Sequence, residues 1–210
     1  MAVSFTPTVV TNPQGAQGSY PQKMAIGHEG MIADLQAYVS RSYRNQSGAV
    51  IPFGALVMSD ATPGTNDPLA VELATAATGI VGLALDSLTF EGVPAGNTAY
   101  NGASGFYPGS AVDANGLVGY PDKQTVNVMS KGVAIVYSAH AVTLGDAVRF
   151  FIVDHNGTTA GAFPGRFGKT AVANKTVAIT SGARWLSKTT AAGLALLELD
   201  IPGATYSADV

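Results

Sequence analysis

Cysteine is absent from the 210 residues, so disulfide staples and thiolate metal sites are excluded and the redox compartment is left open. Lysine and arginine are absent from residues 45 to 122, a stretch that carries seven acids (Asp60, Asp67, Glu72, Asp86, Glu91, Asp113 and Asp122). Residues 123 to 210 reverse the balance, with eight bases against five acids. Charge of either sign is thin, because Asp, Glu, Lys and Arg make up 12% of the chain where about 25% is usual. A surface so poor in charge suits one that meets other protein. No run approaches the roughly eighteen apolar residues of a membrane span, and the start, Met1 to Pro7, lacks the basic and continuously apolar parts of a signal peptide. These absences predict no membrane partner and synthesis in a cytoplasm. The basic residues Arg166, Lys169, Lys175, Arg184 and Lys188 have no interleaved aromatics, which argues against nucleic acid.

What is present is glycine, proline and short β-prone runs. With 47% hydrophobic residues the chain can bury a real core, and 25 Gly with 11 Pro break it into short pieces. Two similar units stand out, Ile51-Pro52-Phe53-Gly54-Ala55-Leu56-Val57 and Val142-Thr143-Leu144-Gly145-Asp146-Ala147-Val148, each a tight turn feeding a buried strand. Gly54 and Gly145 are the predicted structural turns. Gly79 to Leu85 follows the first unit much as Gly193 to Leu199 follows the second, which hints at a pseudo-repeat. Residues 31 to 44 alternate as a strand does, with Leu35, Ala37 and Val39 set against Asp34, Gln36, Tyr38 and Ser40. Ile32, Leu35 and Val39 also fit a helix face, and the strand is favoured. Val133 to Tyr137 is strongly β-prone, and Asn156-Gly157 signals a hairpin.

About ten such runs with almost no convincing helix predict an all-β fold, a compact antiparallel β-barrel or β-sandwich of jelly-roll-like or tulip-like form. Residues 1–23, with Pro7, Pro13 and Pro21, show no period and read as an extended N-terminal arm. Phe5, Val9, Val10 and Tyr20 are more apolar than a solvated tail needs, so the arm is expected to bind a partner. The remainder, 24–210, forms the β domain, with a division into two β subdomains near 123 as a variant.

Chemistry finds little to stand on. Gly165-Arg166-Phe167-Gly168-Lys169-Thr170 has Phe163 where a phosphate loop needs glycine, and the residues after it look like strand. His28, His140 and His155 lie far apart, without metal-ligand spacing. No Gly-x-Ser-x-Gly elbow occurs. Asp86, Asp146, Asp154, Glu198 and Asp200 sit near turns and strand ends, where carboxylates cap backbone N–H groups. No catalytic, metal or cofactor site is predicted, and the protein is not expected to be an enzyme. Trp185 suits a core or interface anchor, with a sugar-stacking platform as the other reading.

In order along the chain, Gly30 to Asp34, Val39 to Ser42, Ile51 to Val57, Gly79 to Ala84, the Lys131-Gly132 turn within Val128 to Val136, Leu144 to Val148 and Gly193 to Leu196 carry a resemblance. Over roughly residues 24 to 201 the chain resembles the structural cement or decoration proteins of tailed bacteriophages. The resemblance implies a capsid cement role: binding the outside of a phage head and stabilising contacts between neighbouring major capsid protein subunits. It also implies a homo-oligomer, a trimer in the commoner arrangement and a dimer in the other, located on the virion exterior. A virion- or tail-associated carbohydrate-binding module using Trp185, Tyr100, Tyr107 and Tyr120 is the alternative, and an undetected hydrolase is a third class.

Overall fold

The computed structural model describes residues 27–60, 69–86, 111–113 and 115–210. The expected arm, with Phe5, Val9, Val10 and Tyr20, lies outside the described residues, as do Tyr100 and Tyr107.

Fourteen strands are described: β1 (Ile32–Asn45), β2 (Ile51–Pro52), β3 (Leu56–Ser59), β4 (Ala70–Leu73), β5 (Ile80–Ala84), β6 (Ala111–Val112), β7 (Val118–Tyr120), β8 (Thr125–Ser138), β9 (Val148–Phe151), β10 (Phe167–Gly168), β11 (Thr176–Ser181), β12 (Ala183–Trp185), β13 (Gly193–Asp200) and β14 (Thr205–Ala208). A 3-10 turn, Ile201–Gly203, joins the last two. The all-β expectation therefore stands, and residues 32–45 are strand. No helix among the described residues is long and apolar enough to cross a membrane.

The architecture departs from the expected antiparallel barrel, being mixed in strand sense and not closed as a whole. Eleven strands share one sheet, in the order β1-β4-β3-β5-β8-β10-β9-β11-β14 with β13 and β12 branching from β8, and β2-β7-β6 form a second, small sheet. Two pairings are parallel, β1 with β4 and β10 with β8, so the large sheet is mixed. The path β1-β4-β3-β5-β8 returns to β1, yet the sheet as a whole stays open and ends at β12 and β14. The reason lies in β8. Fourteen residues long and rich in Val and Ile, it carries β5 and β13 along one edge and β1 and β10 along the other, and so belongs to both halves.

Burial follows the strand period. In β13, Ala195, Leu197 and Leu199 are buried while Leu196 and Glu198 between them are half-buried. The main core gathers Trp185, Phe150, Phe167, Met129, Leu83 and Leu56, and a second gathers Ile51, Phe53, Val57, Val71, Tyr120 and Val126. Trp185 lies edge-on to Phe167, with ring centroids 6.4 Å apart, and its Nε1–H reaches the Ala147 carbonyl at 3.4 Å. Buried Asn45 has its polar atoms engaged: its amide donates to the carbonyls of Ala49 and Tyr120, and its oxygen accepts from Ser47 N and Oγ. Tyr120 donates to Leu85 O at 2.8 Å, and burial pushes its hydroxyl up to about 12.

Two local expectations are corrected. Asn156-Gly157 does not make a tight hairpin: β9 and β10 do pair antiparallel, but a loop over 152–166 joins them. Within it Asp154 Oδ1 accepts from Asn156 N and Asn156 Oδ1 from Gly161 N, and the positive φ falls at Gly161 and Gly165. The pseudo-repeat does not extend to pairing either, since β3 pairs β5 whereas β9 pairs β10 and β11 and not β13.

Candidate interaction surface

The first half of β1 breaks the burial rule of the rest of the sheet. A strand packed on a core hides every second side chain, but here residues 33–35 and 38–42 are exposed on both alternations. Leu35 is 73% exposed, Val39 47%, Met31 42% and Tyr38 41%. The cause is the register with β8, which passes from Asp34–Val133 to Val39–Lys131 and so leaves Leu35 to Tyr38 opposite Gly132 alone. Gly132 permits this at φ +142, where a Cβ would stand 2.8 Å from that of Tyr38. Beyond the bulge Lys131 bonds Asp200 at 2.8 Å, and Arg184 bonds Glu198 on the neighbouring strands. Gly182, Ala183, Arg184, Glu198 and Asp200 line a shallow depression of about 200 Å³.

Behind this surface, four loops converge at glycines. Gly54 has φ +71 in the turn closed by Ala55 N to Pro52 O, the position where a type II turn needs a positive φ. Gly30, at φ +82, accepts from Asp86 N and donates to Ile135 O, while Gly54 donates to Ala84 O and Leu56 to Gly165 O. Gly145 differs. It lies in the turn closed by Asp146 N to Thr143 O, has no positive φ, and is open to space, while Asp146 Oδ2 accepts from Thr143 N.

A buried cation locks the loops. Arg166 is 5% exposed, pairs with Glu29, and lies over the Tyr137 ring with its guanidinium carbon 4.3 Å from the centroid. Burial raises the Glu29 carboxyl above its ordinary value, against the opposing pull of the Arg166 charge. The phosphate-loop look-alike is thus packing: Phe167 and Gly168 form β10, and a Cβ at Gly165 would meet Leu56 O at 2.9 Å.

The five acids weighed as candidate catalytic carboxylates have structural partners. Asp86 holds His28, Asp146 also holds Lys169, Asp154 caps its own turn, and Glu198 and Asp200 hold Arg184 and Lys131. Sequence separation concealed one juxtaposition: His140 and His155 each stack with Phe151, with ring centroids 6.2 and 6.3 Å away. Burial, then the charge of Lys169, lowers the His140 imidazole. Lys175 bonds His155 at 3.1 Å, and among the described residues no cluster of three metal-donor side chains forms. Trp185, at 1% exposure, has no face to offer a sugar.

Comparison with known proteins bears on this geometry. The family model described as "Structural cement protein (E217 gp24/Pam3 gp6)" matches residues 16–200. A chain from the solved capsid of Myoviridae phage XM1 superposes with a TM-score of 0.55 at 19% identity, covering 86% of this chain and 94% of that one. At that identity the likeness speaks for the fold. No curated protein matches the chain.

Proposed function

This chain belongs to the phage structural cement protein family, and from that premise we propose that it binds the outside of a phage head across neighbouring copies of the major capsid protein and stabilises their contacts. The family match over residues 16–200 carries the reading. Three features support it. The surface is poor in charge, Asp86, Asp146, Asp154, Glu198 and Asp200 are engaged in caps or ion pairs, and Leu35, Tyr38 and Val39 at the bulge stand exposed. Exposed apolar groups clustered on one element suit protein contact. Contacts that are individually weak become strong when repeated over a shell, because each bound copy raises the effective concentration for the next contact. The protein acts as a homo-oligomer, and the arm over 1–23 reaches an adjacent capsid subunit.

The test uses heads assembled without this protein. Adding the full chain should give stoichiometric occupancy at saturation and a higher thermal disruption temperature, read by electron microscopy and by dye access to packaged DNA. Heads that bind no protein, or that bind it with no change in disruption temperature, would refute the role.

A further inference from the structure

We propose that the outer edge of β1 is a self-association surface whose occupant is the β1 edge of a second copy, in an antiparallel two-fold contact. This deepens the oligomer part of the proposed function and rests on it. Apart from its end, β1 has one sheet neighbour. β8 runs along one edge, and β4 meets the other only at Arg44 and Asn45, so residues 32–43 have no strand on that edge among the described residues. A strand edge of this kind presents rows of backbone N–H and C=O groups that an extended chain satisfies and a compact surface does not.

Native edges are usually blunted by Lys, by Pro or by a bulge that turns the edge away. Met31 to Ser40 contains neither Lys nor Pro, and the bulge here puts Leu35 out at 73% exposure instead of hiding it. Such a surface is built to be covered.

Charge selects the occupant. Along β1 the one acid, Asp34, stands near the start, and the two bases, Arg41 and Arg44, stand near the end. Two copies laid antiparallel about an axis near Tyr38 put the acidic end of each beside the basic end of the other. A parallel arrangement sets like beside like. The pattern is therefore self-complementary, as an isologous interface requires. A foreign partner would be matched more simply by a patch of one sign. Whatever Asp34 bonds within its own chain, a carboxylate has several acceptor sites, enough to accept a guanidinium as well. Leu35, Tyr38 and Val39 of each copy would then lose water together at the centre, ringed by the charges.

Sedimentation equilibrium of the full chain should give twice the 21.3 kDa chain mass. Leu35→Lys and Val39→Lys should each raise the dissociation constant at least tenfold. The Arg41→Glu/Arg44→Glu variant should weaken association similarly, and adding Asp34→Lys to it should restore at least half of the loss. Because a variant could misfold, wild-type protein supplies a second readout: amide exchange over 33–42 should slow as concentration rises through the dissociation constant. A mass of one or three chains overturns the proposal. So does association that ignores both the Leu35 and the charge substitutions, or exchange over 33–42 that is independent of concentration. Head occupancy is measured separately, so loss of capsid binding with an intact dimer would count against the cement role and not against this contact.

Discussion

At the scale of single residues, glycine without a side chain is what lets the loops meet. Gly30 holds φ +82 with its would-be Cβ 2.6 Å from Asp86 N and 3.0 Å from Gly54 N, both backbone atoms that cannot swing aside. Gly48 holds a similar φ of +70 with nothing within 4 Å. The pair separates two costs that usually come together. Gly48→Ala should lose only the conformational part, about 1–2 kcal/mol. Gly30→Ala should lose that and more, since backbone must shift to admit the methyl group. Urea unfolding of the two variants checks this, and equal losses would show that the crowding at Gly30 relaxes at no cost. Asn45, with its amide engaged inside the core, shows how a buried polar side chain is kept satisfied.

At the scale of elements, β8 is the spine, and the loops behind β1 are pinned to it. Arg166 joins the loop over 152–166 to the turn at Glu29, which leads into β1, and it covers Tyr137 of β8 on the way. The pair is enclosed, with side chains 6% and 24% exposed, so removing one partner strands the other. Arg166→Ala should cost about 3–5 kcal/mol, much of it the penalty of an uncompensated Glu29. The Glu29→Gln/Arg166→Ala double variant should then be more stable than additivity allows, with a coupling of about 0.5–3 kcal/mol. Strictly additive losses in chemical denaturation would mean that Arg166 acts through its packing on Tyr137 alone.

At the scale of the whole molecule, residues 1–26 join the described body at Gly27, where a Cβ would stand 2.8 Å from the Met31 sulfur. The described body therefore begins at the root of the exposed part of β1, and on the proposed reading that is where an arm over 1–23 would attach. Its first 23 residues carry no acid, and they include Phe5, Val9, Val10 and Tyr20. Extended, 23 residues span at most about 80 Å, enough to cross onto a neighbouring subunit of a shell. Deleting 1–23 should leave the circular dichroism and unfolding midpoint of the body unchanged while head occupancy falls at least tenfold at subsaturating protein. Full occupancy after the deletion would reject a docking role for the arm.

Strand content, the Gly54 turn and the core role of Trp185 were legible because each is a local matter: β-branched runs, a turn residue before an apolar run, and a large apolar ring flanked by strand. The order of motifs sufficed for the family. Sheet order was not legible, because pairing joins residues far apart in the chain; nothing local says that β8 serves both halves or that β1 and β10 enter in mixed sense. The Asn156-Gly157 hairpin failed because local side-chain bonds from Asp154 and Asn156 close a wider loop, whose end the long-range contact of buried Arg166 with Tyr137 then holds. The exposed bulge on β1 was not legible either, since Leu35, Ala37 and Val39 alternate in sequence like any buried strand, and only the three-dimensional register against Gly132 leaves Leu35 and Val39 exposed. Composition and pattern decide which segments become strands, while which edges remain open to a partner depends on what the rest of the chain has already covered.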